Sequence, residues 1–177
     1  MEILSRMHRY DLHLLTRIFG QGSRPAVIPI AKAISRSGDG YLHVLFPLLL
    51  WGLQATGSVE FLGILIPALV LERALYFTLK NSLKRQRPQE AVPGFKSLIT
   101  ASDQFSFPSG HSSGAFLLAT SLALVYGGPV AIIYVWAGAV ALSRILLGVH
   151  FPGDTLAGAV MGTSIALLSA QLSGWWI

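Results

Sequence analysis

The sequence predicts an all-α fold: an integral membrane helical bundle of about five transmembrane helices, preceded by N-terminal interfacial helices. Composition is the first observation. Of 177 residues, 53% are hydrophobic and 12% charged, the latter about half the share of a soluble domain, and the mean hydropathy is +0.59. The second is five apolar segments, at 41–57, 59–79, 113–127, 129–148 and 155–173. A membrane span needs roughly 17–25 residues, so the first is short, and the third is expected to begin nearer Gly110. The third observation is the turns. Gly-Ser joins the first two segments and Gly-Gly-Pro the next two, as in helical hairpins with almost nothing outside the membrane at the tight end.

Taken in order, residues 1–37 do not read as a span, because charges interrupt them throughout. At 100° per residue Glu2, Arg6, Arg9, His13 and Arg17 share one stripe of a helix, and most of the rest is apolar apart from His8 and Asp11. That pattern suits a helix lying in the membrane interface. Pro25 is expected to open a second short helix at its first position. Arg6, Arg9, Asp11 and Arg17 also leave no apolar core for a signal peptide. The segment 80–112 is the long polar loop, so a single domain, 1–177, is expected to build its active site there. With no cysteine, disulfides and thiolate metal sites are excluded. The net charge of +5 is assigned to topology and lipid head groups, not to nucleic acid.

If residues 1–37 stay on one side, five crossings bring three polar clusters to that same side. In "KNSLKRQRP", Lys80, Lys84 and Arg87 follow helical spacing before Pro88 stops the helix, giving one face with three cations. Such a face suits a phosphate, although positive flanking of a span has the same composition. In "FPSGHSSG", Ser109 and Gly110 precede an apolar helix whose N-terminal amides can face an anion, and His111 sits in the first turn. An ordinary serine cap is the plainer alternative. In "SRILLGVHFPGD", Arg144 adds a cation, and His150 stands four residues before Asp154, which is also a natural N-cap. A carboxylate beside the imidazole fixes its tautomer and frees the other nitrogen for attack. Two histidines, several cations and an orienting carboxylate describe phosphoryl transfer without a metal. His111, His150 and Asp154 could otherwise serve as metal ligands, but Lys80, Arg87 and Arg144 would repel a divalent ion. No cofactor is expected.

Lys80 to Pro88 fits K-x6-R-P, Pro108 to His111 is P-S-G-H, and Ser143 to Asp154 fits S-R-x5-H-x3-D. In this order the three motifs resemble the signatures of the type 2 phosphatidic acid phosphatase family, relatives of the vanadium haloperoxidases. The resemblance implies that His150 is the nucleophile, Asp154 orients it, and His111 protonates the leaving oxygen and then activates water. It also implies that Lys80, Arg87, Arg144, Ser109 and Gly110 hold the phosphate. Lys84 and Arg85 fall in the x6 gap and are left as head-group contacts. Many membrane members have a further span before the first seen here, and residues 1–37 stand in its place.

The expected substrate is a membrane lipid with a phosphomonoester or diphosphate head group. Phosphatidylglycerophosphate- and phosphatidate-type lipids are the first reading, and undecaprenyl diphosphate or another polyprenyl phosphate is the alternative. A non-catalytic lipid transporter would not need both histidines with Asp154, and the oxidising haloperoxidases are expected to be larger and soluble. Residues 1–40 hold six basic residues and 80–112 five, whereas the opposite side has none. The positive-inside rule therefore places the site on the cytoplasmic face of a bacterial inner membrane, although family resemblance suggests the outer face. The small residues around Gly158 and Gly162 suit packing within the bundle, with a face for a second copy as the other reading.

Overall fold

A computed structural model describes residues 2–128 and 132–174, with side chains from Arg9 onward. Among the described residues there are eight helices and no strand: α1 (Glu2–Gly22), α2 (Val27–Ser37), α3 (Tyr41–Gly52), α4 (Ser58–Leu83), α5 (Pro88–Ala91), α6 (Gly110–Tyr126), α7 (Ile132–Leu146) and α8 (Pro152–Leu172). The all-helical membrane bundle expected from the sequence is the one formed. Helices α4 and α8 are long and apolar enough to cross a bilayer, and α3 and α7 are shorter apolar helices. Their outer faces carry Leu48, Val70, Val135 and Val160, all more than half exposed. So broad an apolar surface is unfavourable in water and suits lipid.

Helix α6 packs against α4, α7 and α8. Because protein surrounds it, it needs no wholly apolar circumference, and Ser112, Ser113, Thr120 and Ser121 are buried along it. Three of these hydroxyls find local partners: Ser112 Oγ donates to Ser109 Oγ at 3.1 Å, Ser121 Oγ donates to the Leu117 carbonyl at 2.9 Å, and Tyr134 donates to Thr120 Oγ1 at 2.9 Å, while Ser113 Oγ is buried without a partner. Helix α8 approaches α6 most closely at Gly158 and Gly162. A Cβ on Gly158 would strike the Ser109 carbonyl, and one on Gly162 the Ser113 carbonyl. The small residues therefore serve contact within the bundle, where dispersion between close backbones replaces the missing hydrophobic drive.

The N-terminal helices lie against this bundle. Helix α1 has three faces: Leu15 packs on Ile145 and Phe151, with Leu12 and Ile18 beside it; Arg9, His13 and Arg17 are exposed; and Tyr10 and Leu14 form an exposed apolar flank next to the basic stripe. Glu2, Arg6 and His8 lie outside the described side chains. Helix α2 begins at Val27, not at Pro25. The Arg24 carbonyl accepts the first N–H groups, from Val27 at 2.9 Å and Ile28 at 3.2 Å. Pro29 then falls in the first turn, where its missing N–H leaves nothing unpaired.

Two boundaries differ from the sequence reading. Helix α3 stops at Gly52, and residues 53–57 form the turn before α4, ending on Gly57, whose φ of 86° only glycine adopts readily. Helix α4 ends at Leu83 with Lys84 as a left-handed cap (φ 47°), well before Pro88. Pro88 instead occupies the first position of α5, and Arg87 is extended. The three-cation helical face therefore does not exist: Lys84 is exposed, while Lys80 and Arg87 are buried on different backbone segments. Pro129 of the Gly-Gly-Pro turn, and with it the start of the fourth apolar segment, lies outside the described residues.

Gly162→Ala is expected to cost about 1–3 kcal/mol through overpacking and to lower the thermal unfolding midpoint in detergent. Gly63→Ala, where a Cβ meets nothing within 4 Å, is expected not to lower it.

Candidate active site

At the end of the bundle where α4 finishes and α6 and α8 begin, Arg87, Gly110, His111, Arg144 and His150 line one cavity of about 540 Å³. Lys80 and Asp154 stand behind its wall, and Ser109 is packed away from it. The chain reaches this arrangement from three breaks in helical structure: the extended segment after α4, the turn into α6, and the 147–151 loop between α7 and α8.

His150 sits in that loop, 2% exposed. Its Nε2 lies 3.4 Å from Arg87 Nη1, and its Nδ1 faces Asp154 Oδ2 at 3.8 Å. The expected His150–Asp154 hydrogen bond is thus not closed, and Nδ1 is buried without a partner. The reason is that the carboxylate is already occupied. Asp154 Oδ1 accepts from Arg85 at 2.6 Å, and Oδ2 accepts from the Ser106 hydroxyl at 2.5 Å and the Phe151 N–H at 2.8 Å. Asp154 is therefore not the N-cap of α8, a position taken by Phe151, but stands at the third helical position, from which it accepts the Phe151 N–H and holds the loop at Ser106 while facing the imidazole. Burial, with the positive charges of Arg87 and Arg144, pushes His150 down to about 4 against the attraction of Asp154. The imidazole is neutral at pH 7, the protonation state an attacking nitrogen requires.

The cations are held by a residue the sequence reading did not single out. Asp103 accepts from Lys80 Nζ at 2.6 Å, from Arg87 Nη2 and from the Tyr76 hydroxyl. Arg87 also donates to the Asp103 carbonyl at 3.0 Å and the Val149 carbonyl at 2.5 Å. Burial would raise the Asp103 carboxyl, but its bonds from Lys80 and Tyr76 and the charges of Lys80 and Arg87 bring it down to about 2. Arg144 comes from α7, 5% exposed, with Nη1 on Ser35 Oγ at 2.5 Å and its Nε buried without a partner.

His111 opens α6 into the cavity, and its Nε2 is 2.7 Å from Asp39 Oδ1. Asp39 lies in the short link between α2 and α3, where Gly40 takes φ 98°. Ser109 differs from expectation: its N–H donates to the Asp154 carbonyl at 3.0 Å, and its hydroxyl accepts from Ser112 N at 3.4 Å as the helix cap. Arg85 also differs. It bridges Asp154 and Asp11 at 2.6 Å each instead of reaching outward, and Asp11 continues to the Gly153 N–H at 2.7 Å. Asp11 had one legible signal, as an acid interrupting an apolar helix face. Asp39 and Asp103 had none, since polar loops commonly carry aspartate. Among the described residues no group of three His, Asp or Glu side chains is arranged to hold a metal ion.

A family model described as PAP2 superfamily matches residues 61–177. A decaprenylphosphoryl-5-phosphoribose phosphatase of Mycobacterium tuberculosis is 26% identical over 151 residues, covering 85% of this chain and 83% of that protein. YbjG of Escherichia coli K12, provisionally described as an undecaprenyl-diphosphatase, is 33% identical over 158 residues, covering 85% and 75%. The crystal structure of Aquifex aeolicus LpxE superposes with a TM-score of 0.76 at 31% identity, covering 90% of this chain and 94% of that one.

Asp103→Asn strands two buried cations and is expected to cost about 1–3 kcal/mol at neutral pH. Because the carboxyl is depressed from 3.8 to about 2, its contribution is complete above about pH 4 and disappears as pH falls through 2. Unfolding midpoints in detergent should therefore separate the two proteins at pH 7 and converge toward pH 2.

Proposed function

This chain belongs to the PAP2 superfamily and is a membrane lipid phosphatase; from that premise we propose that it hydrolyses its lipid through a phosphohistidine at His150. The observation that carries the reading is the buried, neutral His150 between Arg87 and Asp154, on the same cavity as His111. Asp154 faces Nδ1, so Nε2 is the attacking atom. A bond forms between Nε2 and phosphorus as the bond from phosphorus to the lipid oxygen breaks, and that oxygen takes a proton from His111. Neutral His111 then removes a proton from water, whose oxygen attacks phosphorus as the N–P bond breaks. Phosphate leaves, and both histidines return to their starting states.

Arg87 and Arg144 bind the phosphoryl oxygens, and Lys80 adds charge from behind. Gly110 lets the Tyr76 ring pack against the start of α6, where a Cβ would come within 2.9 Å of it, and Ser109 contributes by capping that helix. Asp39 is a positioning residue. It fixes the His111 ring through Nε2 and leaves Nδ1 for the leaving oxygen. The names of the two curated relatives favour a polyprenyl phosphate as substrate, beside the phosphatidylglycerophosphate and phosphatidate types. The reading puts the protein in a bacterial inner membrane with its site toward the cytoplasm, and what supports it is that eleven of the thirteen Lys and Arg residues fall in residues 1–40 and 80–112.

With lipid labelled in its terminal phosphate, an alkaline quench should trap label on the wild-type protein and none on His150→Ala, whose phosphate release falls to the uncatalysed level. Release should persist in chelator. Asp39→Asn should lower kcat about tenfold with KM little changed, as expected when a general acid loses its alignment, and Asp39→Glu should recover part of it. Release surviving in His150→Ala, or lost in chelator, would overturn the mechanism. For orientation, a C-terminal reporter active only outside the cytoplasm should be active; a reporter active only inside would reverse the assignment.

A further inference from the structure

A second cavity, of about 340 Å³, adjoins the first and shares Asp39, Ser102, His111 and Arg144 with it. It contains neither His150 nor Arg87, so it lies beyond His111 from the attacking nitrogen. Its remaining charged residues are Lys32 and Arg36, spaced i,i+4 on α2.

The charge balance of the two cavities differs. In the first, Arg73, Arg87 and Arg144 face Glu72, Asp39 and Asp103, three against three, and Glu72 is paired with Arg73 at 2.5 Å. In the second, Lys32, Arg36 and Arg144 face Asp39 alone, whose carboxylate is already bound by His111. Arg144, at the boundary, is 5% exposed and keeps a buried Nε with no partner. An unpaired buried guanidinium N–H is costly to leave unmet, and a surplus of cations in a concave site raises the local concentration of anions.

We propose that the second cavity is a binding site for a second phosphate of the lipid head group, adjacent to the one that is hydrolysed. This deepens the reading of the chain as a lipid phosphatase and rests on it for the placement of the first phosphate. The terminal phosphate of a diphosphate lies under His150. The bridging oxygen, which becomes the leaving atom, lies at His111, and the inner phosphate lies between Lys32, Arg36 and Arg144. A monophosphate with a neutral leaving group leaves Lys32 and Arg36 unused. The site therefore selects head groups with two adjacent phosphates over single phosphomonoesters on the same tail.

The test measures equilibrium binding of decyl phosphate and decyl diphosphate to the full-length His150→Ala protein in detergent, where neither ligand is consumed. The diphosphate is expected to bind at least tenfold more tightly. Adding Lys32→Gln and Arg36→Gln together should bring the ratio of the two affinities close to one, and continued binding of decyl phosphate shows that this variant is folded. Equal affinities before the substitutions, or a ratio the substitutions leave unaltered, would overturn the proposal. Phosphate release from decyl phosphate by the wild-type protein, measured in parallel, tests the catalytic reading on its own, because the affinity ratio does not depend on turnover.

Discussion

The carboxylate of Asp154, fully buried at the start of α8, is the point on which the site is assembled. A charge placed there is tolerable only if it is well paired and hydrogen-bonded. Its partners come from Arg85 after α4, Ser106 before α6 and the Phe151 backbone, while its own carbonyl accepts the Ser109 N–H that starts α6. Arg85 passes the link to Asp11 on α1, and Asp11 returns it to the first turn of α8. One buried anion thus sets the relative positions of four chain segments, and His150 is carried by the loop that these bonds close.

A second level of order is charge arranged before any substrate arrives. Arg87 and Lys80 are turned toward a common point by Asp103, and His111 by Asp39. Reorganising such groups during reaction would add to the barrier, and fixing them beforehand avoids that cost. In the proposed mechanism an arriving phosphoryl group would meet cations whose geometry is already set.

Much of this was legible in the sequence for a simple reason. Helices in lipid must satisfy every backbone group internally, so apolar runs report directly on α3, α4, α6, α7 and α8, and ionisable residues at their ends stand out. His111, Arg144, His150 and Asp154 were visible on those grounds. Less visible was whatever depends on where a helix stops. Lys84 takes a left-handed cap, which no residue type announces, and the helical face drawn through Lys80, Lys84 and Arg87 dissolved with it. Residues whose importance is purely spatial were also hidden. Asp39 lies 72 positions from His111 and Arg85 lies 69 from Asp154, separations that periodicity cannot report.

Helix α3 has twelve residues, about 18 Å at 1.5 Å per residue, beside a hydrocarbon core about 30 Å thick. The bilayer next to it has to thin, or take in the turn at 53–57, because hydrophobic mismatch is relieved by whichever partner deforms more easily. His43, in the first turn of α3, borders the cavity and bonds to the Gly114 carbonyl at 2.9 Å. The shortest wall of the bundle therefore stands next to the cavity that holds the candidate site, and the depth at which a lipid's polar end meets the protein depends on local membrane thickness there.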